Sequence, residues 1–402
     1  MDALSYCRRE LSADARRAEG RRRRAIPVAA LTLVLVAGEL AGACSPSRSL
    51  EAVRVLRDIE AGHGPSGLKE TTPAPARTFI RFTVGDREHE ADLYLPGEPA
   101  KAGIVLVPGL TPRGRDDARL VDFARTLARA RFEVLVPDLP RMRALQVTAL
   151  DAEPIAAAAR YLDEREQSRP LGIAAVSFAV GPAVIALSEP GVQERVDFFL
   201  GIGGYWDLEA LIIYVTTGYY RTERGGSWSH RLPKAYGKWV FVLTNAGRLA
   251  DPQDRATMME MASRKLDDKD APIDDLVVDL GSDGLAVYAL VTNADPDRVP
   301  ALLSALPTDV GDEIERLDLK RRDLSGLPVT FVLIHDRGDR IIPAEQSETL
   351  AAAIAPGRAR LYVVDGLDHA QVKRPGLTDA FALFDAISTM LRLRDGQLRP
   401  NT

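Results

Sequence analysis

A serine stands between an apolar strand and a helix in Ile173-Ala174-Ala175-Val176-Ser177-Phe178-Ala179-Val180-Gly181, with the small residues Ala175 and Ala179 two positions to either side. A sharp strand-to-helix turn strains the backbone of its central residue and leaves no room for bulky neighbours. In return it lifts the side chain clear of the sheet, where a hydroxyl can act as a nucleophile. Taken alone, a serine at such a point would more simply cap the helix. It has company. Val332-Leu333-Ile334-His335-Asp336-Arg337-Gly338-Asp339 places two acids, Asp336 and Asp339, just after a late strand, and Val363-Val364-Asp365-Gly366-Leu367-Asp368-His369 places an imidazole just after the last one. Hydroxyl, imidazole and carboxylate are the parts of nucleophilic acyl transfer: the imidazole takes the hydroxyl proton, and a buried carboxylate orients the ring and stabilises its cation. Of the other histidines, His63 lies in a polar N-terminal stretch, His89 near an early strand and His230 in a helical region, while His335 belongs to the acid loop and would brace it.

The elements that must carry these groups alternate. Phe79 to Val84, Ala91 to Leu95, Gly103 to Val107, Glu133 to Val136, Leu171 to Val176 and Val196 to Ile202 read as strands, and Arg115 to Ala130, Leu150 to Glu166 and Phe178 to Leu187 as helices. Such alternation predicts an α/β fold, a mostly parallel sheet with helices on both faces. It stops near Tyr205 and resumes at Pro328 to Ile334, followed by a helix from Ala344 to Ala355, a strand from Ala359 to Val364 and a helix from Thr378 to Arg392. The interval holds helix-like runs, Leu208 to Tyr219, Pro233 to Ala246 and Asp254 to Leu266, without an internal repeat. All three tryptophans, Trp206, Trp228 and Trp239, lie in it beside several tyrosines; most should pack the insert's own core, and the rest could wall an apolar pocket. The charge-rich run Arg264 to Asp275 reads as a solvated face.

The chain order Ser177, Asp339, His369, each after a strand, resembles that of the α/β-hydrolase superfamily rather than the orders of chymotrypsin or subtilisin. The strand end Val107-Pro108-Gly109-Leu110-Thr111 is similar to that of dienelactone-hydrolase-like members. The resemblance spans about Thr78 to Leu393 and implies Ser177 as nucleophile, His369 as base and Asp339 as acid, with Asp336 the structural alternative. It also implies an oxyanion hole from the backbone N–H groups of Leu110 and Phe178, and a helical cap inserted after the sixth strand. The sequence departs from the family pattern at Ala175 and Ala179, where the motif has glycine, and at Pro108, where a histidine is usual. Ser177 argues against the cysteine chemistry of dienelactone hydrolases proper and the aspartate chemistry of dehalogenases and epoxide hydrolases. No metal or organic cofactor is implied.

Ahead of this region, Arg21 to Arg24, the apolar run Ala25 to Gly38 and the small residues Ala41 to Ala43 have the layout of an export signal. The apolar run, roughly 14 residues, is shorter than the ~20 that span a bilayer as a helix. Leu40-Ala41-Gly42-Ala43-Cys44 resembles a bacterial lipobox, which would make Cys44 a lipidation site; simple cleavage after Ala43 and an uncleaved anchor are the other readings. The expected organisation is an export signal over 1–43, a tether over 44–77 with a possible short helix at Leu50, Val53, Leu56 and Ile59, a hydrolase core in two parts over 78–204 and 328–402, and the insert over 205–327. Fifty-two basic against 57 acidic residues, a formal charge of −5, give no electrostatic footprint for nucleic acid. Two cysteines, Cys7 and Cys44, cannot build a disulfide framework or a thiolate zinc site. The expectation is an exported envelope protein, lipid-anchored, periplasmic or secreted, that cleaves a small-molecule ester or related acyl bond. The alternatives are an acyltransferase or peptidase on the same fold, and a non-catalytic ligand-binding lipoprotein.

Overall fold

The computed structural model describes residues 46–165, 169–221, 225–367 and 376–398. The expected export signal, Cys44 and His369 lie outside the described residues. Among the described residues there are ten strands: β1 Ala76–Val84, β2 Arg87–Leu95, β3 Ala102–Val107, β4 Phe132–Pro137, β5 Leu171–Val176, β6 Phe198–Ile202, β7 Tyr219–Tyr220, β8 Ser229–His230, β9 Thr330–Asp336 and β10 Ala359–Val364. Eight of them form one sheet in the order β1-β2-β4-β3-β5-β6-β9-β10, while β7 and β8 make a small hairpin within the insert. β2 is antiparallel to both of its neighbours, and every pairing from β4 to β10 is parallel.

The central strands are the continuous apolar runs that burial on both faces demands: β3, β4 and β9 are buried along their whole length. Period-two alternation then sorts their side chains between two cores. Ile173, Ala175, Phe199, Phe331 and Leu333 face one, and Ala174, Phe198, Leu200, Val332 and Ile334 face the other.

The helices are α1 Pro46–Ala61, α2 Gly67–Thr71, α3 Ala118–Arg129, α4 Pro140–Arg143, α5 Ala152–Arg165, α6 Val180–Leu187, α7 Leu208–Thr217, α8 Tyr236–Ala246, α9 Pro252–Asp267, α10 Asp274–Val277, α11 Ser282–Thr292, α12 Val299–Ser304, α13 Thr308–Leu317, α14 Glu345–Ala353 and α15 Leu377–Arg394. α5, α6 and α14 pack on the first core, α3 and α15 on the second. α3 starts where Asp117 accepts from Arg119 N (3.0 Å) as its N-cap, and it buries the stripe Leu120, Ala124 and Leu127.

Within 44–77, read from the sequence as a tether, α1 is docked across α3 and α15. Ala52 and Val55 are buried against the second core. The buried Asp58 accepts from Lys69 Nζ and from Thr126 Oγ1 (2.6 Å each) and is bonded to Ser66, which ties α1 to α2 and α3. Arg394 of α15, fully buried, pairs with Glu51 and donates to Ala130 O (2.8 Å). An extended linker would leave these groups in water. Of the apolar positions spaced along this helix, Leu56 and Ile59 pack against the second core beside Ala52 and Val55, while Leu50 faces out.

The segment 205–327 is largely helical, α7 to α13, with its own core of Trp239, Met258, Met261, Leu290 and Val299 among others. Its aromatic residues divide. Trp239 packs the insert, whereas Tyr205 and Tyr214 are buried in the first sheet core. The insert is rooted by Gln346, whose Oε1 accepts from the backbone N–H groups of Trp206 and Asp207 (2.9 Å each). Among the described residues no helix is long and apolar enough to cross a membrane.

Candidate active site

Ser177 follows directly on β5 and opens a short 3-10 turn, Ser177–Ala179, that leads into α6. Its φ of 60° puts it in the left-handed region, which a residue carrying a Cβ occupies only where the surroundings enforce it. Ala175 and Ala179, in place of glycines, are fully buried, and the turn closes with their methyl groups packed into the first core. Gly181 carries a further constraint. A Cβ there would stand 1.9 Å from the Tyr205 hydroxyl, so the missing side chain is what lets Tyr205 lie against α6 and donate to Leu317 O (3.1 Å).

The loop leaving β3 comes up beside this turn, because β3 and β5 are parallel neighbours with Val107 opposite Ala175. Gly109 packs against the end of β5, where a Cβ would meet Val176 O at 3.4 Å, an ordinary contact, and Pro108, Gly109 and Leu110 line the same cavity as Ser177 and Phe178. Where the family pattern has a histidine, this loop is braced from its other end: Thr111 Oγ1 donates to Asp117 Oδ2 (3.3 Å) and accepts from Arg113 N (3.3 Å). Burial alone would raise the Asp117 carboxyl; hydrogen bonds and charge from Arg119, with the Thr111 contact, hold it below its ordinary value.

The two acids after β9 have different surroundings. Asp339 is buried; its Oδ1 accepts from Ile341 N (2.7 Å) and Ile342 N (3.2 Å), and its Oδ2 stands 3.5 Å from His335 Nε2. Asp336 turns back on its own loop, its Oδ1 accepting from Gly338 N (2.6 Å) while its carbonyl accepts from Asp339 N (3.1 Å). Asp336 therefore shapes the turn that presents Asp339. His335, fully buried, braces the same loop, with Nε2 on Ile342 O (2.9 Å) and Nδ1 on Ser347 Oγ (2.7 Å). Because a carbonyl only accepts, Nε2 carries a proton.

Two further contributions to this loop were not legible in the sequence. Lys234 N donates to Arg340 O and Arg340 Nε to Leu232 O (2.8 Å each), and Arg231 Nη1 reaches Asp339 O (3.4 Å), so the insert is stitched to the acid loop. β10 lies parallel beside β9 with Val364 opposite Asp336, and Arg337 N donates to Val364 O (2.9 Å), so the loops that follow the two strands begin side by side. Leu367, two positions before His369, lines the cavity at Ser177.

That cavity has a volume of about 510 Å³, within the range of small-molecule sites. Besides the loops above, its lining includes Lys234 and Tyr236 from the insert, and Val55, Ile59 and His63 from α1 and the turn after it. Among the described residues no group of three or more His, Cys, Asp and Glu side chains is arranged to hold a metal ion.

No protein-family model and no curated protein matches the sequence. Solved structures do match. A hydrolase candidate from Legionella pneumophila aligns over 83% of this chain and 95% of its own, at 14% identity and a TM-score of 0.50. An acylaminoacyl peptidase from Pyrococcus horikoshii aligns over 83% of this chain at 11% identity and a TM-score of 0.44, this chain spanning only 43% of its length. A dienelactone hydrolase from Anabaena variabilis aligns over 79% of this chain and 98% of its own, at 15% identity and a TM-score of 0.41. With the eight-stranded order β1-β2-β4-β3-β5-β6-β9-β10, one antiparallel strand next to the edge, and a serine turn after the central β5, the chain has the α/β-hydrolase fold.

Proposed function

We propose that the chain is an exported serine hydrolase that cleaves a carboxylic ester or related acyl bond through an acyl-enzyme. The observation that carries this reading is Ser177 held in a left-handed turn at the head of a 510 Å³ cavity. The buried Asp339 carboxylate after β9, fixed by two backbone N–H groups, supports it. In this mechanism Ser177 Oγ attacks the acyl carbon while His369 takes its proton. His369 then gives that proton to the departing alkoxide, and Asp339 keeps the ring in the required tautomer. The N–H groups of Leu110 and Phe178 receive the charge on the tetrahedral oxygen. Water, deprotonated by His369, attacks the acyl-enzyme, releases the acid and restores Ser177. An export signal over 1–43 with lipidation at Cys44 belongs to the same proposal and would hold the enzyme in the cell envelope.

Fluorophosphonate labelling of the full chain, with mass mapping of the modified peptide, tests the reading. The adduct is expected on Ser177. The Ser177→Ala protein should melt as the wild type does, take no label and lose about a thousandfold or more in ester turnover. A folded wild type that takes no label, or a Ser177→Ala protein of undiminished activity, removes the assignment.

A further inference from the structure

The cavity does not stop at the nucleophile. From Ser177 and Phe178, at the carboxyl ends of the strands, it continues to Ala130 and Phe132 at the opposite edge of the sheet, where β4 begins. Leu200 and Ile334 form its floor, Leu127 of α3 and Met390 of α15 its walls, and Val55 and Ile59 of α1 its roof. The polar groups on this wall satisfy one another: Thr126 Oγ1 donates to Asp58, which Lys69 also binds. The roof is fixed in place by the buried Arg394 against Glu51, and by Arg48 on Asp395 (3.3 Å).

A cavity of this size, lined mostly by apolar side chains, offers an apolar ligand the dispersion contacts that a helix packed flat on the sheet would otherwise make. A chain that builds a dedicated helical roof over such a space holds it for an occupant. Six residues of β5, about 3.3 Å each, give a run of about 20 Å from end to end. An extended alkyl chain advances about 1.3 Å per carbon, given bonds of about 1.5 Å, so the run accepts roughly 12–16 carbons. The covered end of the tunnel suits the part of an ester that stays on Ser177 after the first step, the acyl group, because the alcohol must leave while the acyl group is still attached.

We infer that this tunnel, from Ser177 beneath α1 to Ala130, binds the unbranched acyl chain of the substrate, which makes the substrate class long-chain carboxylic esters. The inference rests on the serine-hydrolase reading for its chemistry, and on the cavity alone for its binding.

The test uses the full chain and p-nitrophenyl esters from acetyl to palmitoyl. In the wild type kcat/KM rises over the first several carbons by up to about fourfold per methylene, the effect of burying one CH2 group. Leu127→Trp fills the tunnel near its Ala130 end, and Met390→Trp, one turn from the Arg394 that donates to Ala130 O, fills the same end from the opposite wall, so that the inference does not hang on the folding of one variant. Each is expected to lower the ratio of palmitoyl to decanoyl kcat/KM at least about 30-fold, since six distal methylenes at even about twofold each exceed that factor. A flat chain-length profile in the wild type, or an unchanged ratio in both folded variants, overturns the inference. A second measurement separates it from the reading beneath it: binding of the fluorescent fatty acid cis-parinaric acid to Ser177→Ala protein, with and without Leu127→Trp. Binding that Leu127→Trp abolishes, together with a wild type that hydrolyses no ester of the series, keeps the tunnel and refutes the hydrolase. Hydrolysis of acetyl ester through Ser177 without chain-length dependence or parinarate binding keeps the hydrolase and refutes the tunnel.

Discussion

Asp151 offers a quantitative check on how the insert and the core are joined. It ends a 3-10 turn, Ala149–Asp151, that the insert grips from outside: Glu313 Oε1 accepts from Ala149 N (2.8 Å), Arg248 pairs with Glu313 (3.2 Å), and Thr244 Oγ1 accepts from Val147 N (3.2 Å). Asp151 itself is fully buried, and neither carboxylate oxygen has a hydrogen-bond partner; Arg141 stands 3.6 Å away, beyond hydrogen-bond reach. Burial pushes its carboxyl from 3.8 up to about 6, with Arg141 opposing the rise and the Glu313 charge adding to it. A raised carboxyl means that the folded state holds a proton which the unfolded chain has released, so stability falls as pH rises from 3.8 to about 6 and stays reduced above that. The full cost is about 3 kcal/mol at 1.36 kcal/mol per pH unit. Between about pH 5 and about pH 8 the same linkage gives about 1.4 kcal/mol, because at the lower pH the native carboxyl is already about nine-tenths protonated. Asp151→Asn has the shape of the neutral acid and no charge to bury. In urea titrations at those two values the wild type should lose about 1.4 kcal/mol more than the variant on going to the higher pH, with equal m-values. A variant whose stability tracks the wild type at both values would show that the Asp151 charge is solvated or paired, and would refute the reasoning.

Two other substitutions test the site and its support. Asp339→Asn keeps an oxygen for Ile341 N and Ile342 N but loses the charge that stabilises an imidazolium, so kcat should fall about ten-thousandfold. Asp336→Asn, which can still accept from Gly338 N, should stay within about tenfold, and the opposite ranking in ester kinetics would move the acid to Asp336. Gly181→Ala drives a Cβ into the Tyr205 hydroxyl and should cost about 1–3 kcal/mol in urea unfolding. Tyr205→Ala, which removes the hydroxyl together with the ring carbons 2.5 and 2.9 Å from the same point, should abolish most of the penalty in a double-mutant cycle, and additive losses would show that the collision is relieved elsewhere.

What the sequence discloses here is local, and what it conceals joins distant residues. The strands are legible because burial on both faces forces uninterrupted apolar runs such as Ile104 to Val107, and the turn at Ser177 because a serine with small residues on either side separates such a run from a helix. The choice between Asp339 and Asp336 is not a matter of spacing. Both follow β9, and no spacing shows that Asp339 Oδ1 accepts from two backbone N–H groups while Asp336 Oδ1 accepts from Gly338 N. The docking of α1 depends on Asp58 meeting Thr126, 68 positions away, and Glu51 meeting Arg394, 343 positions away. No periodicity carries those pairings. The helical runs of the insert can be read from their period, but the stitching of residues 231–234 to the acid loop, more than a hundred positions on, cannot.

These long-range pairings bear on what reaches the nucleophile. The insert fixes the backbone of the acid loop through Arg231 and Lys234 and adds Tyr236 to the cavity wall, while the N-terminal helix closes the same cavity from the other side with Val55 and Ile59. Both are additions to the sheet that positions Ser177, so the fold supplies the turn and the additions supply the enclosure. The proposed lipid at Cys44 would then bear on access as well as address. Cys44 lies two positions before α1, whose 16 residues extend about 24 Å at 1.5 Å each. A chain held to a bilayer at that point keeps the roof of its tunnel within about one helix length of the surface where long-chain esters collect.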